Sequence, residues 1–347
     1  MLRVARKNHR SRPRNAKHVT RNSQRETRNT QPETRNPKRV TRTRNTELIS
    51  MPSLKDVQNK IGAVKKTKQI TKAMNMVATS RLRGAQTNME NFRPYANKFS
   101  EVLGSLAQKS GDEASPLLVP REEVKKIHVV LCTSDRGLCA GFNVNLVDRA
   151  GAFVEGKKGD AFEISFTNFG KRGRDWTRKN GFSIVDEHIG VVGTTFSFNV
   201  AATAGRKLVE GYLNGDYDEV YVIYAEFISM GRQVPTIKQL LPIPPIETEE
   251  DEAAEETGEY QAEHICEPSP DSLLGELLPK SVHVQLHSCL LETSTSEHAA
   301  RMAAMDNATN ACNDLIESLT LLYNKARQAT ITAELMDIVG GAEALKG

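Results

Sequence analysis

Aromatic residues are scarce in this sequence of 347 residues: they make up 5% of it, with a single tryptophan. This content is typical of a chain in which much of the length is exposed helix. No stretch approaches the roughly 18 uninterrupted apolar residues of a transmembrane helix. The five cysteines include no CxxC pair, which favours reduced thiols over a disulfide framework or a zinc site. Cys132 and Cys312 lie in apolar patterns and are predicted to be small buried hydrophobic residues.

Proline and glycine are almost missing from two long segments. From Ala299 to Gly347 there is no proline, and the first glycine is Gly340. From Ser53 to Lys109 the only proline is Pro94, and glycine occurs at three positions, 62, 84 and 104. Because these two residue types are the strongest helix breakers, both segments are predicted to be long helices. At roughly 1.5 Å per residue, the C-terminal segment alone would be on the order of 70 Å long.

Apolar residues recur along both segments with the spacing of one helix face. The N-terminal stripe is Leu54, Val57, Ile61 and Val64, then Ala78, Leu82, Ala85, Met89 and Phe92; the C-terminal stripe is Leu315, Leu319, Leu322, Ala326, Ala329 and Ala333. Pro52, Ser53 and Asp56 indicate where the first helix begins. Helices this long need partners of similar length, so we predict an antiparallel coiled coil that carries a middle domain.

The middle of the chain has a different pattern, in which short apolar runs alternate with helical stretches. Strands are predicted at 127–132, 162–169, 183–186 and 220–227, and helices at 144–154, 172–179 and 198–213. Alternating strands and helices indicate an open α/β, Rossmann-like sheet. Residues 247–259 follow it with eight acidic residues in thirteen and are predicted to be a solvated loop.

Residues 1–50 are a basic segment with a seven-residue Thr-Arg-Asn repeat and no apolar stripe. They contain 15 lysines and arginines against three acidic residues, and this composition predicts disorder. A nucleic-acid-binding arm would lack aromatic residues for stacking on bases, and a mitochondrial targeting peptide would lack its apolar face. The third interpretation is that Met51 is the true start and that the preceding residues are translated non-coding repeat.

The rest of the chain is acidic. The whole sequence has 47 basic and 43 acidic residues, so residues 51–347 keep 32 and 40, a net charge of −8. Within this body the segment 53–83 carries eight cations (Lys55, Lys60, Lys65, Lys66, Lys68, Lys72, Arg81 and Arg83) and one anion, Asp56. A helix with charge of one sign on an acidic body indicates an acidic partner surface.

Two motifs could carry chemistry, and both have a simpler structural interpretation. The loop Gly137–Gly141 lies between a predicted strand and helix, but it matches neither phosphate-binding glycine pattern, so we interpret it as a tight turn with Asn143 near the helix start. His283 and His287 have helical metal-ligand spacing but no third ligand, which favours a surface histidine pair over a zinc site. We find no nucleotide site, cofactor site or catalytic machinery.

Four segments in the right order resemble one protein family, the gamma subunits of the rotary ATP synthase. They are Leu54–Ala85, the loop SDRGLCAGFN (Ser134–Asn143, with Ala140 where the family leads us to expect glycine), Gln233–Pro244 and Tyr323–Ala342. The resemblance covers residues 51–347. It implies a coiled-coil helix over 51–110, a middle α/β domain over 124–270 with the acidic loop 247–259, and a second coiled-coil helix over 271–347.

The resemblance also implies a function without catalysis. The chain would be the central rotor shaft, one copy per complex, which couples proton flow to ATP synthesis by rotating inside a ring of catalytic (beta) and non-catalytic (alpha) subunits. It would stand with the epsilon subunit on the membrane ring of c subunits, without nucleic acid. The expected location is peripheral, on the cytoplasmic face of a bacterial inner membrane, or alternatively on the matrix side of the mitochondrial inner membrane.

Site residues follow from the same resemblance, position by position. Arg327, Gln328 and Thr332 are expected to contact loops of the catalytic subunits. Met74 and Arg301 are expected near an acidic lever of those subunits, and Glu267 at the foot, where the epsilon subunit and the ring dock.

Two other classes of protein stay open: a helical adaptor with an α/β module and a basic nucleic-acid-binding arm, and a stand-alone α/β enzyme, for which the sequence has no active-site signal.

Overall fold

The computed structural model describes residues 53–110, 115–121, 123–157, 163–244 and 269–345. The basic segment 1–50, the acidic segment 247–259 and Glu267 lie outside the described residues. The described elements follow in the order α1 (Leu54–Ser110), β1 (Lys126–Cys132), α2 (Phe142–Lys157), β2 (Glu163–Phe169), α3 (Lys171–Lys179), β3 (Ser183–His188), α4 (Phe198–Asn214), β4 (Glu219–Ser229), β5 (Arg232–Leu241) and α5 (Pro270–Ala344).

Both long helices begin with a side-chain cap. At α1 the Ser53 hydroxyl accepts a hydrogen bond from the Asp56 amide at 3.2 Å, and the Asp56 carboxylate accepts one from the Ser53 amide at 3.3 Å. This reciprocal pair is a capping box, and it confirms the predicted helix start. At α5 the Ser269 hydroxyl accepts from the Ser272 amide, with Pro270 in the first turn, where its missing N–H costs no hydrogen bond.

The two long helices pack against each other in opposite directions. The hydroxyl of Thr71 lies 2.8 Å from that of Thr309, and the Asn75 side-chain nitrogen donates to the Met302 carbonyl at 3.0 Å, so residue numbers rise along α1 as they fall along α5. The predicted antiparallel coiled coil is confirmed. Helix α5 has 75 residues, or about 110 Å, and extends beyond the start of α1, so that Arg327–Leu345 is exposed throughout.

The apolar stripe that faces α1 differs from the predicted one. Leu315 and Leu322 are 47% and 44% exposed. The less exposed positions are Cys312, Ile316, Leu319, Tyr323 and Ala326. The spacing is the predicted alternation of three and four residues, but the contact face is rotated. Both stripes are apolar, and the partner's position on the helix surface decides which one is covered.

The middle domain is built on one mixed five-stranded sheet of order β3-β2-β1-β4-β5. Strands β1 to β4 are parallel, as expected for strands joined through helices. Strand β5, a segment that the sequence did not assign to a helix or a strand, pairs antiparallel with β4 as a hairpin. It contains Pro235, which has no backbone N–H to donate. Proline is tolerated here because β5 is an edge strand, with a neighbouring strand on one side only.

Helices cover both faces of the sheet. Along β1, Ile127, Val129 and Leu131 point to the face packed by α2, while Val130 and Cys132 point to the other face. This second face is packed by α4, by the end of α1 through Leu103 and Leu106, and by α5 through Leu274, Leu278, Val282, Leu286 and Leu290. The terminal helices are therefore part of the core of the sheet domain as well as of the coiled coil, and the described residues between 53 and 345 belong to one unit by their contacts.

Candidate functional site

The loop after β1 is a turn held by its own side chains. The Asn143 carboxamide oxygen accepts hydrogen bonds from the Ser134 amide at 2.9 Å and the Ser134 hydroxyl at 3.1 Å, and its nitrogen donates to the Arg136 carbonyl at 3.2 Å. Leu138 and Ala140 have φ angles of 65° and 48°. This left-handed region favours glycine, which is the residue that the family resemblance leads us to expect at 140. The structural interpretation of this loop is confirmed.

Asp135 connects this loop to two others at the same edge of the sheet. Its carboxylate accepts hydrogen bonds from the Lys171 amide at 2.9 Å and from the Gly190 amide at 2.8 Å. Lys171 is the first residue of α3, and Gly190 follows β3. The three segments after β1, β2 and β3 are thus held together by one carboxylate, because the carboxyl ends of parallel strands lie along one edge.

A buried ion pair on α5 fixes the long helix to the same loop. The Glu297 side chain is 4% exposed and pairs with Arg301 one turn later, and the His298 Nδ1 lies 3.1 Å from its other oxygen. The Arg301 guanidinium also donates to the Gly137 carbonyl at 2.7 Å. Burial alone would raise the pKa of the Glu297 carboxyl, but its bonds to His298 and Arg301 outweigh burial, so its pKa lies below the ordinary value.

Helix α5 also covers the position where open α/β sheets usually bind ligands. The sheet order reverses between β1 and β4, and the crevice outside the strand ends at such a point is the common ligand site. Here the Thr293 hydroxyl lies 3.4 Å from the Ala225 amide, and the Ser296 hydroxyl donates to the Ala225 carbonyl at 3.1 Å. A buried polar run, 293–298, thus fills the crevice with protein groups.

A half-open cavity of about 570 Å³ lies between α1, α5 and the loops after β1 and β3. Two predicted site residues, Met74 and Arg301, line it together. The other three described ones are elsewhere: Arg327, Gln328 and Thr332 lie on the exposed end of α5, where the Thr332 hydroxyl donates only to the Gln328 carbonyl of its own helix. The contact roles assigned to these residues stay predictions.

Sequence reasoning did not identify Asp135 or Glu297 as residues that organise the site. The spacing of Glu297 and Arg301 by four residues was an available signal, because such pairs meet on one helix face. It could not show that the pair is buried or that Arg301 reaches Gly137, which is 164 positions away in the chain.

The prediction of a surface histidine pair is wrong. His287 is 7% exposed and lies among three phenylalanine rings, Phe92, Phe196 and Phe198, with ring centroids 4.6 to 5.5 Å away. His283 is half-buried against Gly205, where a Cβ would come within 2.4 Å of the imidazole. Burial lowers the pKa of His287 to about 4. The two residues are part of the packing of α5 against α4 and α1, and the described residues contain no group of three side chains placed to hold a metal ion.

The cysteines of the described region are free thiols. Cys132, Cys139 and Cys289 are buried, and Cys312 is half-buried at the interface of the long helices. The prediction of burial is therefore confirmed for Cys132 and only in part for Cys312. Burial raises the pKa of Cys289 to about 12, which keeps this thiol protonated and unreactive. Of the eight cations in the segment 53–83, all but Lys68 are exposed.

No helix in the described part of the chain combines the length and the hydropathy needed to cross a membrane.

Comparison with known proteins gives consistent results. A family model described as ATP synthase matches residues 53–345. The ATP synthase gamma chain of Desulfosudis oleivorans is 69% identical over 298 residues, which cover 86% of this chain and all of the relative. That of Desulforapulum autotrophicum is 62% identical over 298 residues, covering 85% and 100%.

Solved structures show the same fold at much lower identity. The rotor of the Euglena gracilis mitochondrial ATP synthase matches with a TM-score of 0.55 and 20% identity, covering 80% of this chain and 98% of that one. The central stalk and c-ring structure of the Tetrahymena thermophila enzyme matches with a TM-score of 0.50 and 24% identity, covering 69% and 99%.

Proposed function

The chain belongs to the family of ATP synthase gamma chains, and we propose which parts of it contact the other subunits. It is a non-catalytic subunit, the central shaft that couples proton flow to ATP synthesis by rotating within the catalytic ring. The observation that carries this function is the antiparallel pair of long helices whose longer member, α5, extends as a single exposed helix beyond the start of α1. No observation favours the helical adaptor.

We propose that the exposed end of α5 contacts the catalytic (beta) and non-catalytic (alpha) subunits through Arg327, Gln328 and Thr332. Apolar residues on this end, among them Ile331 and Leu335, are 55% and 59% exposed. Side chains of this kind that stay uncovered in a single chain are typical of surfaces that meet a partner. In a shaft that turns, such contacts would form in some rotary positions and break in others, which is how a non-catalytic subunit can bias the states of its partners.

A second contact zone is proposed around Met74, beside the buried pair of Glu297 and Arg301. The exposed cations of α1 suit an acidic lever of the catalytic subunits by charge. The Arg301 guanidinium is already bound to Gly137 and Glu297, so its proposed part is to hold the surface that Met74 presents rather than to reach into the partner.

We propose that the α/β domain forms the foot of the rotor. We propose that Glu267, outside the described residues, lies where the epsilon subunit and the membrane ring of c subunits dock. The relatives are chains of a membrane-associated complex. We propose a peripheral position on the cytoplasmic face of a bacterial inner membrane, with one copy per complex.

The assembly is tested by tagging the chain in its own host and purifying it under native conditions. We expect a stoichiometric ATPase with one copy of this chain, counted by native mass spectrometry. Recovery of the chain without the catalytic subunits, or with nucleic acid in their place, would contradict the proposal.

The contact zone is tested by comparing Met74→Lys with Met76→Lys in assembled complexes. Met74 lines the cavity, whereas Met76 lies two residues further along α1 and is 61% exposed on another face. A cation added at position 74 would form a contact with the acidic lever in the wrong rotary states, so ATP hydrolysis should drive less proton pumping, while the control keeps normal coupling. Equal coupling in the two variants would remove Met74 from the contact zone.

A further inference from the structure

The half-open cavity between the long helices and the loops has the volume and the lining of a small-molecule site. It lies where the loops after β1 and β3 meet the two long helices, and its volume of about 570 Å³ falls in the range of ligand pockets, about 300–1,000 Å³. Met74 and Val77 form one wall, and Leu138, Ile189 and Val192 form the facing wall.

Both acidic side chains of this cavity have partners within the chain. Asp135 accepts hydrogen bonds from two backbone amides. Glu297 is paired with Arg301, whose guanidinium also binds the Gly137 carbonyl. Their charges are therefore compensated within the chain and do not repel an anion from the cavity.

Two arginine side chains also lie at the cavity. Arg81 on α1 and Arg136 in the loop after β1 both line it and are both exposed. Neither guanidinium has a hydrogen-bond or ion-pair partner among the residues that the structure describes. A guanidinium is well suited to a carboxylate or sulfonate because its N–H donors match the two oxygens of such a group.

We propose that this cavity binds a small amphiphilic anion. Its acidic group pairs with Arg81 and Arg136, and its apolar part lies between the wall of Met74 and Val77 and the wall of Leu138 and Ile189. The occupant joins α1 to the loops of the sheet domain, at a place where the shaft otherwise contacts these loops through α5.

The probe is decanoate, titrated into the purified full-length chain by isothermal calorimetry and compared with decanol and decyltrimethylammonium. We expect one decanoate per chain, with decanol binding about tenfold more weakly and the cationic probe showing no saturable binding. Binding of decanol as tight as that of decanoate would overturn the proposal, because the arginines would then contribute nothing.

Substitutions place the binding at this cavity. Arg81→Gln and Arg136→Gln should each weaken decanoate binding about tenfold, while Arg83→Gln, on the same exposed helix but outside the cavity lining, should leave it unchanged. Val77→Trp fills the cavity from a position that is 54% exposed and should abolish binding; Met76→Trp is its control at a position 61% exposed.

Circular dichroism establishes that each variant keeps its helices. Wild-type affinity in Val77→Trp, or in both arginine variants, would place decanoate elsewhere and overturn the proposal. Binding is measured on the chain by itself, so this result does not depend on the rotor function proposed above.

Discussion

Helix α5 contains two regions that have the same helical backbone and differ in the burial of their side chains. Between Ser281 and Ala300 most side chains are buried, including the polar run 293–298. Between Arg327 and Leu345 every residue is exposed, although the region contains Ile338 and Val339, which are 72% and 54% exposed. One continuous helix thus has a region fixed to the sheet and α1, and a region that the single chain leaves uncovered.

This difference shows that burial along a long helix is set by its neighbours and not by its composition. The buried region contains threonine, serine, glutamate and histidine, yet the sheet edge and the loops supply partners for most of these groups. The exposed region contains isoleucine, leucine and methionine without a cover. Substitutions in the two regions test whether the first is the source of stability and the second the source of contacts with partners.

The sharpest comparison uses one substitution at two places. Leu290→Ala removes a side chain that is 0% exposed, and Leu335→Ala one that is 59% exposed. Loss of buried contacts and the cavity left behind should cost about 2–5 kcal/mol at position 290, against less than about 0.5 kcal/mol at position 335. Urea unfolding of the purified chains measures both. Similar costs would show that the exposed end is packed in solution.

The buried ion pair gives the second prediction. Glu297→Gln leaves the Arg301 guanidinium, whose side chain is 12% exposed, without its compensating charge, and should cost about 3 kcal/mol in the free energy of unfolding. Glu334→Gln, on the exposed end of the same helix, is the control and should cost less than about 0.5 kcal/mol.

A double variant tests the reason for this cost. In Glu297→Gln/Arg301→Met the unpaired charge is gone, so the chain should be more stable than with Glu297→Gln alone. A double variant that is less stable than the single one would mean that Arg301 stabilises through Gly137 and not through its charge balance.

The third prediction concerns pH. The pKa of His287 is lowered by burial from 6.5 to about 4. As the pH falls from about 6.5 to about 4, the unfolded chain takes up a proton at this residue that the folded chain does not, so the free energy of unfolding decreases. His287→Leu should remove about 2–3 kcal/mol of that decrease. The exposed end 327–345 has no histidine, so Leu335→Ala should keep the wild-type dependence; an unchanged slope in His287→Leu would contradict the assignment.

The smallest effect on stability should accompany a large effect on function. Gln328→Leu/Thr332→Leu changes two exposed residues of one helix face and should alter the free energy of unfolding by less than about 0.5 kcal/mol. The turnover of the assembled complex should fall, because the contacts proposed for these residues form in some rotary states only. Thr330→Leu, on the opposite face, is the control. Normal turnover in the double variant would make these residues ordinary shaft surface.

Much of the architecture follows from local signals. The scarcity of proline and glycine predicted the two long helices, the Ser53 and Asp56 pair predicted where α1 begins, and the predicted strand boundaries lie close to those of β1, β2 and β4. These predictions succeed because helix capping, backbone restriction and apolar periodicity act over a few residues. The tight turn that contains Ala140 and Asn143 was likewise predicted from local sequence.

The tertiary structure decided which of several equivalent faces is covered and which distant groups meet. The periodicity of α5 is compatible with a stripe through Leu315 or one through Ile316, and only the position of α1 selects the second. The enclosure of His287 by three phenylalanines and the bond from Arg301 to Gly137 join residues far apart in the chain. Sequence spacing determines what shares a face of a helix; the free energy of packing that face against another element, which depends on every element at once, determines what it touches.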